Sequence, residues 1–141
     1  MESEYYEPKL LKGEKEKPSI IVDAHNLRKK LKIAKFMMTA VDRREYADEA
    51  LFEIRKVIMY FHMAYDFEEE RLFYLKEMWA WIAAFKDTMR TIGEDNVIHI
   101  QPKHIKITPD QMKLELFNAL ARLDEGAYKW KNSVTRLRKR Q

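Results

Sequence analysis

The chain has 141 residues, of which 46% are hydrophobic and 35% charged, and its formal net charge is +4. A chain of this length forms one domain with a substantial core. It contains no cysteine, which excludes disulfides, thiolate catalysis and cysteine-ligated metal sites. No apolar run approaches the roughly 20 residues of a membrane span, and the N-terminus lacks the apolar region of a signal peptide, so we expect a cytoplasmic protein without a membrane contact.

The chain divides into two parts. Residues 1–19 are polar, include two prolines and a glycine, and show no sustained hydrophobic period. We expect this segment to be a flexible N-terminal arm. Residues 20–141 contain four long segments with helical periodicity and are expected to form a single bundle.

The first predicted helix spans residues 20–41. Its apolar residues recur at helical spacing, at Ala24, Leu27, Leu31, Ala34, Met38 and Val41. The opposite face carries the cations Arg28, Lys29, Lys30, Lys32 and Lys35. Asp23 is the only acid in this segment. Two interpretations remain open, namely a solvated face of long cationic side chains or a stripe that binds phosphate.

Two short connections separate the next helices. We place the first at residues 42–46 and the second at residues 67–71, so that consecutive helices become antiparallel neighbours. The second helix begins at Ala47 and carries the apolar stripe Leu51, Ile54, Ile58, Phe61 and Tyr65. The third helix spans residues 72–92 and carries Leu75, Trp79, Ile82, Phe85 and Met89.

The third helix contains a segment that is apolar on all sides, residues 78–85. A helix in a four-helix monomer normally presents one polar face to water. Trp79 and Trp81 lie about 160° apart around the helix axis, so one face of the bundle cannot bury both. Either one ring is half exposed at the edge of the bundle, or it packs in a subunit interface. Because interfaces are enriched in Trp and Met, we favour an interface formed by Met78, Trp81 and Phe85.

The longest connection precedes the last helix. Gly93 is expected to end the third helix. The β-branched residues of the loop favour an extended chain across one end of the bundle, with a short strand pair as the alternative. The last helix is predicted at residues 108–140, with Thr108 as its cap, Pro109 in the first position and Gln111 completing a capping box. Its apolar stripe is Met112, Leu116, Leu120, Leu123, Ala127, Trp130, Val134 and Leu137.

The final helix ends in a basic segment. After Tyr128 there is no acid, and the cations are Lys129, Lys131, Arg136, Arg138, Lys139 and Arg140. The chain therefore has two separate cationic segments, on the first and last helices. This arrangement favours a polyanionic partner.

No catalytic or metal-binding pattern accompanies these cations. Helical bundles that bind two metal ions use Glu-x-x-His motifs. The residues three positions before His25, His62, His99 and His104 are Val22, Met59, Asn96 and Gln101. Because the sequence also lacks a Gly-rich phosphate loop and a nucleophile elbow, we expect no enzymatic activity, no metal and no cofactor.

The order of these features resembles the accessory variability proteins (Avd) of diversity-generating retroelements, which are similar to the four-helix proteins encoded in intervening sequences of ribosomal RNA genes. The resemblance covers about residues 20–140. It is carried by the Trp-rich third helix (LKEMWAWIAAF), the long third loop, and a final helix that opens with TPDQ and carries KWKNSV before its basic end. The acidic residues 68–70 depart from a uniformly basic surface.

The resemblance implies an all-α, up-down four-helix bundle that assembles into a basic homopentamer. It implies a non-enzymatic partner of the element's reverse transcriptase that binds RNA or DNA during mutagenic copying of the template RNA. An alternative is a four-helix protein-interaction module whose cationic faces are merely solvated. A histidine-based metalloenzyme is a third hypothesis, which the missing ligand pattern disfavours.

Overall fold

The computed structural model describes the backbone of residues 19–140 and the side chains of residues 20–132. All regular structure within residues 19–140 is helical, so the predicted all-α class with four main helices is confirmed. The helices are α1 (Ser19–Ala34), α2 (Ala40–Asp42), α3 (Asp48–Asp66), α4 (Arg71–Glu94) and α5 (Pro109–Arg140). A 3-10 helix at Lys35–Met37 follows α1, and a π-helical turn at Arg43–Ala47 joins α2 to α3. The predicted N-terminal arm lies outside the described residues, apart from Ser19.

The four long helices pack in the order α4, α3, α1 and α5. Helix α3 packs most extensively against α4, α1 packs against both α5 and α3, and α4 and α5 approach each other least. The Tyr46 hydroxyl donates to Asp95 Oδ2 at 2.6 Å and links the start of α3 to the end of α4. This bond and nearby carboxylates raise the pKa of Tyr46 to about 12. No helix in the described part of the chain combines the length and apolar character needed to span a bilayer.

The predicted apolar stripes form the core. Phe61 of α3 and Leu116 and Leu123 of α5 are almost completely buried, and the ring centroids of Phe61 and Trp130 lie 4.8 Å apart. Val41 is the exception in the first stripe, because its side chain is 50% exposed. The side chains of Val134 and Leu137 lie outside the described residues.

The first connection lies earlier in the chain than predicted. Residues 42–46 are helical, and the chain instead turns at Met38 and Thr39, which both have extended ψ angles of 160° and 164°. Thr39 Oγ1 accepts a hydrogen bond from the Asp42 backbone N–H at 3.1 Å and so caps α2. The predicted boundary is wrong because it followed the hydrophobic period through Val41 and ignored this cap.

Asn96, and not Gly93, supplies the special backbone conformation at the end of α4. Asn96 has φ 50°, and the N–H groups of Asn96 and Val97 donate to Gly93 O at 3.2 Å and Ile92 O at 3.5 Å. Asparagine tolerates this left-handed conformation and often ends a helix. Gly93 lies inside α4, where a Cβ would approach the Phe117 ring to 2.9 Å. The glycine therefore permits the close approach of α5.

Asn96→Ala is expected to lower the free energy of unfolding by about 1 kcal/mol, because alanine is strained at positive φ. Asn96→Gly is the matched control. It also removes the bond that Asn96 Oδ1 accepts from Lys113 Nζ at 2.8 Å, but it adopts positive φ without strain. Urea denaturation of both variants measures the difference. Equal losses in the two variants would show that the side-chain bond, and not the backbone conformation, matters here.

The loop between α4 and α5 packs against the 3-10 helix that follows α1. The backbone N–H groups of His99 and Ile100 both donate to Met37 O at 3.0 Å. Val97, Ile98 and Ile105 are buried, so the loop contributes to the core. Residues 19–140 contain no strand, and the alternative of a short strand pair is therefore wrong.

Helix α5 begins where the sequence predicts. Thr108 Oγ1 accepts a hydrogen bond from the Gln111 backbone N–H at 3.1 Å, which confirms the N-cap. The second half of a capping box is not formed, because the Gln111 side chain donates to Glu115 Oε2 at 3.3 Å. Glu115 in turn accepts from Lys30 of α1, so the start of α5 is fixed against α1.

Candidate nucleic-acid interface

The five cations predicted on the first helix have different environments. Lys30 Nζ pairs with Glu115 Oε1 at 3.1 Å and is therefore directed towards α5. Lys35 Nζ lies 5.4 Å from the centroid of the Phe36 ring. Lys29 and Lys32 are exposed and make no ion pair within the described residues. The predicted cationic stripe therefore loses Lys30, because Glu115 neutralises its charge.

A cleft between α1 and α3 contains two of the cations predicted on the first helix, Arg28 and Lys32. It has a volume of ≈ 370 Å³ and is lined by Arg28, Lys32, Asp48, Leu51, Phe52 and Arg55. Arg28 and Lys32 are four residues apart on α1, which places them on one helical face. Asp48 is the only acid among these lining residues. We call this site the α1–α3 cleft; its cations exceed its acids three to one.

Two exposed aromatic rings lie on this side of the bundle: Phe52 lines the cleft, and Phe36 follows the cleft residue Lys32 by four positions. Each ring lies beside cations. Phe52 is 44% exposed, and Lys56 Nζ lies 5.2 Å from its ring centroid. Phe36 is 43% exposed, and the guanidinium carbon of Arg43 lies 5.4 Å from its centroid. Cations at these distances interact favourably with an aromatic face. Basic and aromatic groups are therefore interleaved along this side of the bundle.

Phe36, Arg43, Phe52 and Arg55 were not predicted from the sequence as site residues. A signal was present, because Phe36 follows Lys32 by four residues and Phe52 precedes Arg55 by three, which are helical neighbour spacings. The exposure of the two rings was not part of that signal, because aromatic side chains are normally assigned to the core.

The cations of the last helix lie elsewhere. Lys129 Nζ pairs with Glu125 Oε1 at 3.0 Å, and Lys131 Nζ lies 5.0 Å from the Trp79 ring centroid. Both residues are on α5, away from the α1–α3 cleft. The side chains of Arg136, Arg138, Lys139 and Arg140 lie outside the described residues. The structure therefore does not bring Lys129 and Lys131 together with the cations of the first helix.

The predicted oligomer interface needs correction. Met78 and Phe85 are both 0% exposed, so they have no surface to offer to a second copy. Trp81 is half-buried and makes an edge contact with Phe52, with ring centroids 5.5 Å apart. Trp79 is also half-buried. Both indole rings thus sit at the margin of the core, and only Trp81 of the three predicted residues retains exposed area.

A buried carboxyl group lies between α3 and α4. Glu53 is 4% exposed, and its burial raises its pKa to about 7, although the neighbouring Thr88 hydroxyl lowers it in part. Nearby Glu49 and Asp87 raise the pKa further. The sequence analysis missed Glu53, although it lies between Ala50 and Val57 on a second buried line of α3. No group of three or more His, Cys, Asp or Glu side chains among the described residues is placed to hold a metal ion.

Comparisons with known proteins do not identify the chain. No family model, no curated protein and no solved structure matches it. Its function must therefore be inferred from its own surfaces and from the pattern of its sequence.

Proposed function

We propose that this protein is a non-enzymatic accessory subunit of a diversity-generating retroelement. In this role it forms a homopentameric, basic barrel that binds the reverse transcriptase and the template RNA or its cDNA during mutagenic reverse transcription. The observation that carries the nucleic-acid part of the proposal is the α1–α3 cleft, where Arg28, Lys32 and Arg55 outnumber Asp48. Cations gathered in this way attract phosphate groups and release their counterions.

The up-down order of the helices belongs to this proposal, and three contacts between α4 and α5 support it. Phe117 approaches Gly93, Lys86 Nζ pairs with Asp124 Oδ1 at 3.0 Å, and Lys131 Nζ lies 5.0 Å from the Trp79 ring. From one contact to the next, the residue on α4 lies seven positions earlier in the chain and the residue on α5 lies seven positions later. Contacts that progress in opposite directions are those of antiparallel helices.

Assembly into an oligomer needs apolar surface outside the core. Helix α4 offers Phe73, which is 59% exposed, and the half-buried Trp81. Exposed aromatic rings of this kind are enriched in subunit interfaces. These two residues replace Met78 and Phe85 as the supports for an interface between copies.

Replacing Arg28, Lys32 and Arg55 together by Gln is expected to weaken RNA binding roughly tenfold or more at physiological salt. The slope of log affinity against log salt is expected to decrease by about 2, because each lost phosphate contact on a single strand contributes about 0.7. Fluorescence anisotropy with a labelled RNA oligonucleotide over a salt series measures both quantities.

The matched control replaces three exposed cations outside the cleft, namely Lys103, Lys106 and Arg122, by Gln. It changes the net charge equally and is expected to have a much smaller effect. Equal losses in the two triple variants would mean that the cleft has no special role in binding.

A protein-interaction module is the second candidate, and a groove between α4 and α5 favours it. The groove has a volume of ≈ 790 Å³, and Ala83, Phe117 and Leu120 contribute its apolar lining. Apolar grooves between helices commonly receive a partner helix. Under this alternative, RNA binding is nonspecific, disappears at physiological salt and is equally affected by both triple variants.

A further inference from the structure

We propose that the surface along the α1–α3 cleft binds single-stranded nucleic acid, with unpaired bases stacking on Phe36 and Phe52 and the phosphates bound by the flanking cations. This inference rests on the proposed function and specifies the form of nucleic acid that the same site takes. Proteins that bind single strands combine a cationic groove with aromatic stacking platforms.

The two phenylalanine rings have the properties of stacking platforms. They are 43% and 44% exposed. Because exposure of an apolar ring to water is unfavourable, burying these rings against a ligand would be favourable. Each ring has cations over it at 5.2–5.4 Å from its centroid. A stacking base replaces such a cation on the ring face, and the long side chain that is displaced remains within reach of the phosphate next to that base. The rings therefore supply the apolar part of the site, and the cations supply the charged part.

The residues form a continuous track. Arg28, Lys32 and Phe36 follow at four-residue intervals along α1 and its 3-10 extension, over about 12 Å of helical rise. Arg43 reaches over Phe36 from the π-helical turn, and Phe52 and Arg55 line the other wall of the cleft.

The chemistry favours a single strand over a duplex. In a duplex the base faces are covered by their neighbours, so exposed rings outside the helix cannot stack on them. In a single strand every base has an accessible face. The cations at the track are Arg28, Lys32, Lys35, Arg43, Arg55 and Lys56. Within the cleft, Arg28, Lys32 and Arg55 outnumber Asp48, and this excess matches a phosphate backbone better than it matches a second copy of this basic chain.

The test compares the wild-type protein with the double variant Phe36→Leu, Phe52→Leu, using a labelled pyrimidine-rich RNA strand and the same strand annealed to its complement. The wild type is expected to bind the single strand more tightly than the duplex. The double variant is expected to lose ten- to hundredfold in affinity for the single strand, with an unchanged salt slope, because leucine keeps the apolar volume but has no stacking face.

Two further variants keep the result interpretable. Phe36→Tyr with Phe52→Tyr preserves the stacking faces and is expected to retain the affinity. Tyr128→Leu removes a more exposed ring on α5, away from the α1–α3 cleft, and is expected to leave the affinity unchanged. Equal binding of duplex and single strand by the wild type, or undiminished affinity in the double leucine variant, would overturn the inference.

The failure of this inference can be told apart from the failure of the proposed function. If the triple Gln variant of the cleft loses affinity while the double leucine variant does not, the cleft binds phosphate without stacking. If neither variant loses affinity relative to its control, nucleic-acid binding at the cleft is itself rejected. A double leucine variant that changes only the mass measured by light scattering would assign the rings to a contact between copies, and this also overturns the inference.

Discussion

Glu53→Gln is expected to stabilise the folded protein at pH 8 by about 3 kcal/mol and to have little effect at pH 4. Burial raises the pKa of Glu53 from 4.5 to about 7, so the folded chain holds this proton more tightly than the unfolded chain does. The free energy of unfolding therefore falls as the pH rises from about 4.5 through 7. A shift of this size corresponds to about 3 kcal/mol, which the neutral glutamine avoids.

Urea denaturation at the two pH values measures this effect. Glutamine fits the site because it has nearly the size and shape of glutamate and carries no charge. Its amide can also bond to Thr88 and Glu49, the neighbouring side chains that influence the pKa of Glu53. Glu69→Gln in the exposed turn after α3 is the control and is expected to be neutral at both pH values. A stabilisation by Glu53→Gln that is equal at both pH values would show that charge burial is not its cause.

Phe85→Ala is expected to lower the free energy of unfolding by about 3 to 5 kcal/mol, because it removes a completely buried ring and leaves a cavity. Trp81→Ala is expected to cost clearly less, because the indole is only half-buried and lies at the margin of the core, in edge contact with Phe52. Thermal or urea denaturation of both variants at low protein concentration measures the stability of the single chain.

Light scattering complements this measurement. Trp81→Ala is expected to shift the mass of any oligomer downwards, whereas a folded Phe85→Leu variant, which preserves most of the buried volume, is expected to leave it unchanged. A Phe85→Leu variant that dissociates an oligomer while remaining as stable as the wild type would contradict the burial of Phe85 within one chain.

The long helices could be predicted because their signals are local and redundant. Helix α5 has a stripe of apolar residues, and the predicted cap at Thr108 forms the expected bond to Gln111. Helix α4 has a similar stripe, and its core positions Leu75, Phe85 and Met89 are completely buried. Many residues report the same period in these segments, so a single ambiguous position does not change the result.

The boundaries could be predicted less well because one residue decides each of them. The apolar residues keep their helical spacing as far as Val41, but the chain turns at Thr39, whose side chain caps the next helix. At the end of α4 the glycine was expected to take the left-handed position, but Asn96 takes it. Gly93 instead leaves room for the ring of Phe117. These residues are 24 positions apart, so local sequence does not reveal their contact.

The candidate site was predicted only in part, since charge is visible in sequence and exposure is not. Arg28 and Lys32 were identified from their positions opposite the apolar stripe. Lys30 could not be excluded, because its partner Glu115 lies on another helix. Phe36 and Phe52 were missed since an aromatic residue is normally assigned to the core, and only the packed helices show that these two rings remain outside it.

The helices form an arc, because α3 packs extensively against α4, α1 against α3, and α5 against α1. The two ends of this arc, α4 and α5, contact each other only over a small area. Lys86 and Asp124, which bridge that contact, are 46% and 49% exposed, and ion pairs so accessible to water add little stability. Separating α4 from α5 would leave the three larger contacts, α3–α4, α1–α3 and α1–α5, intact. We therefore expect the contact between α4 and α5 to open more readily than the contacts that hold α1 and α3 together.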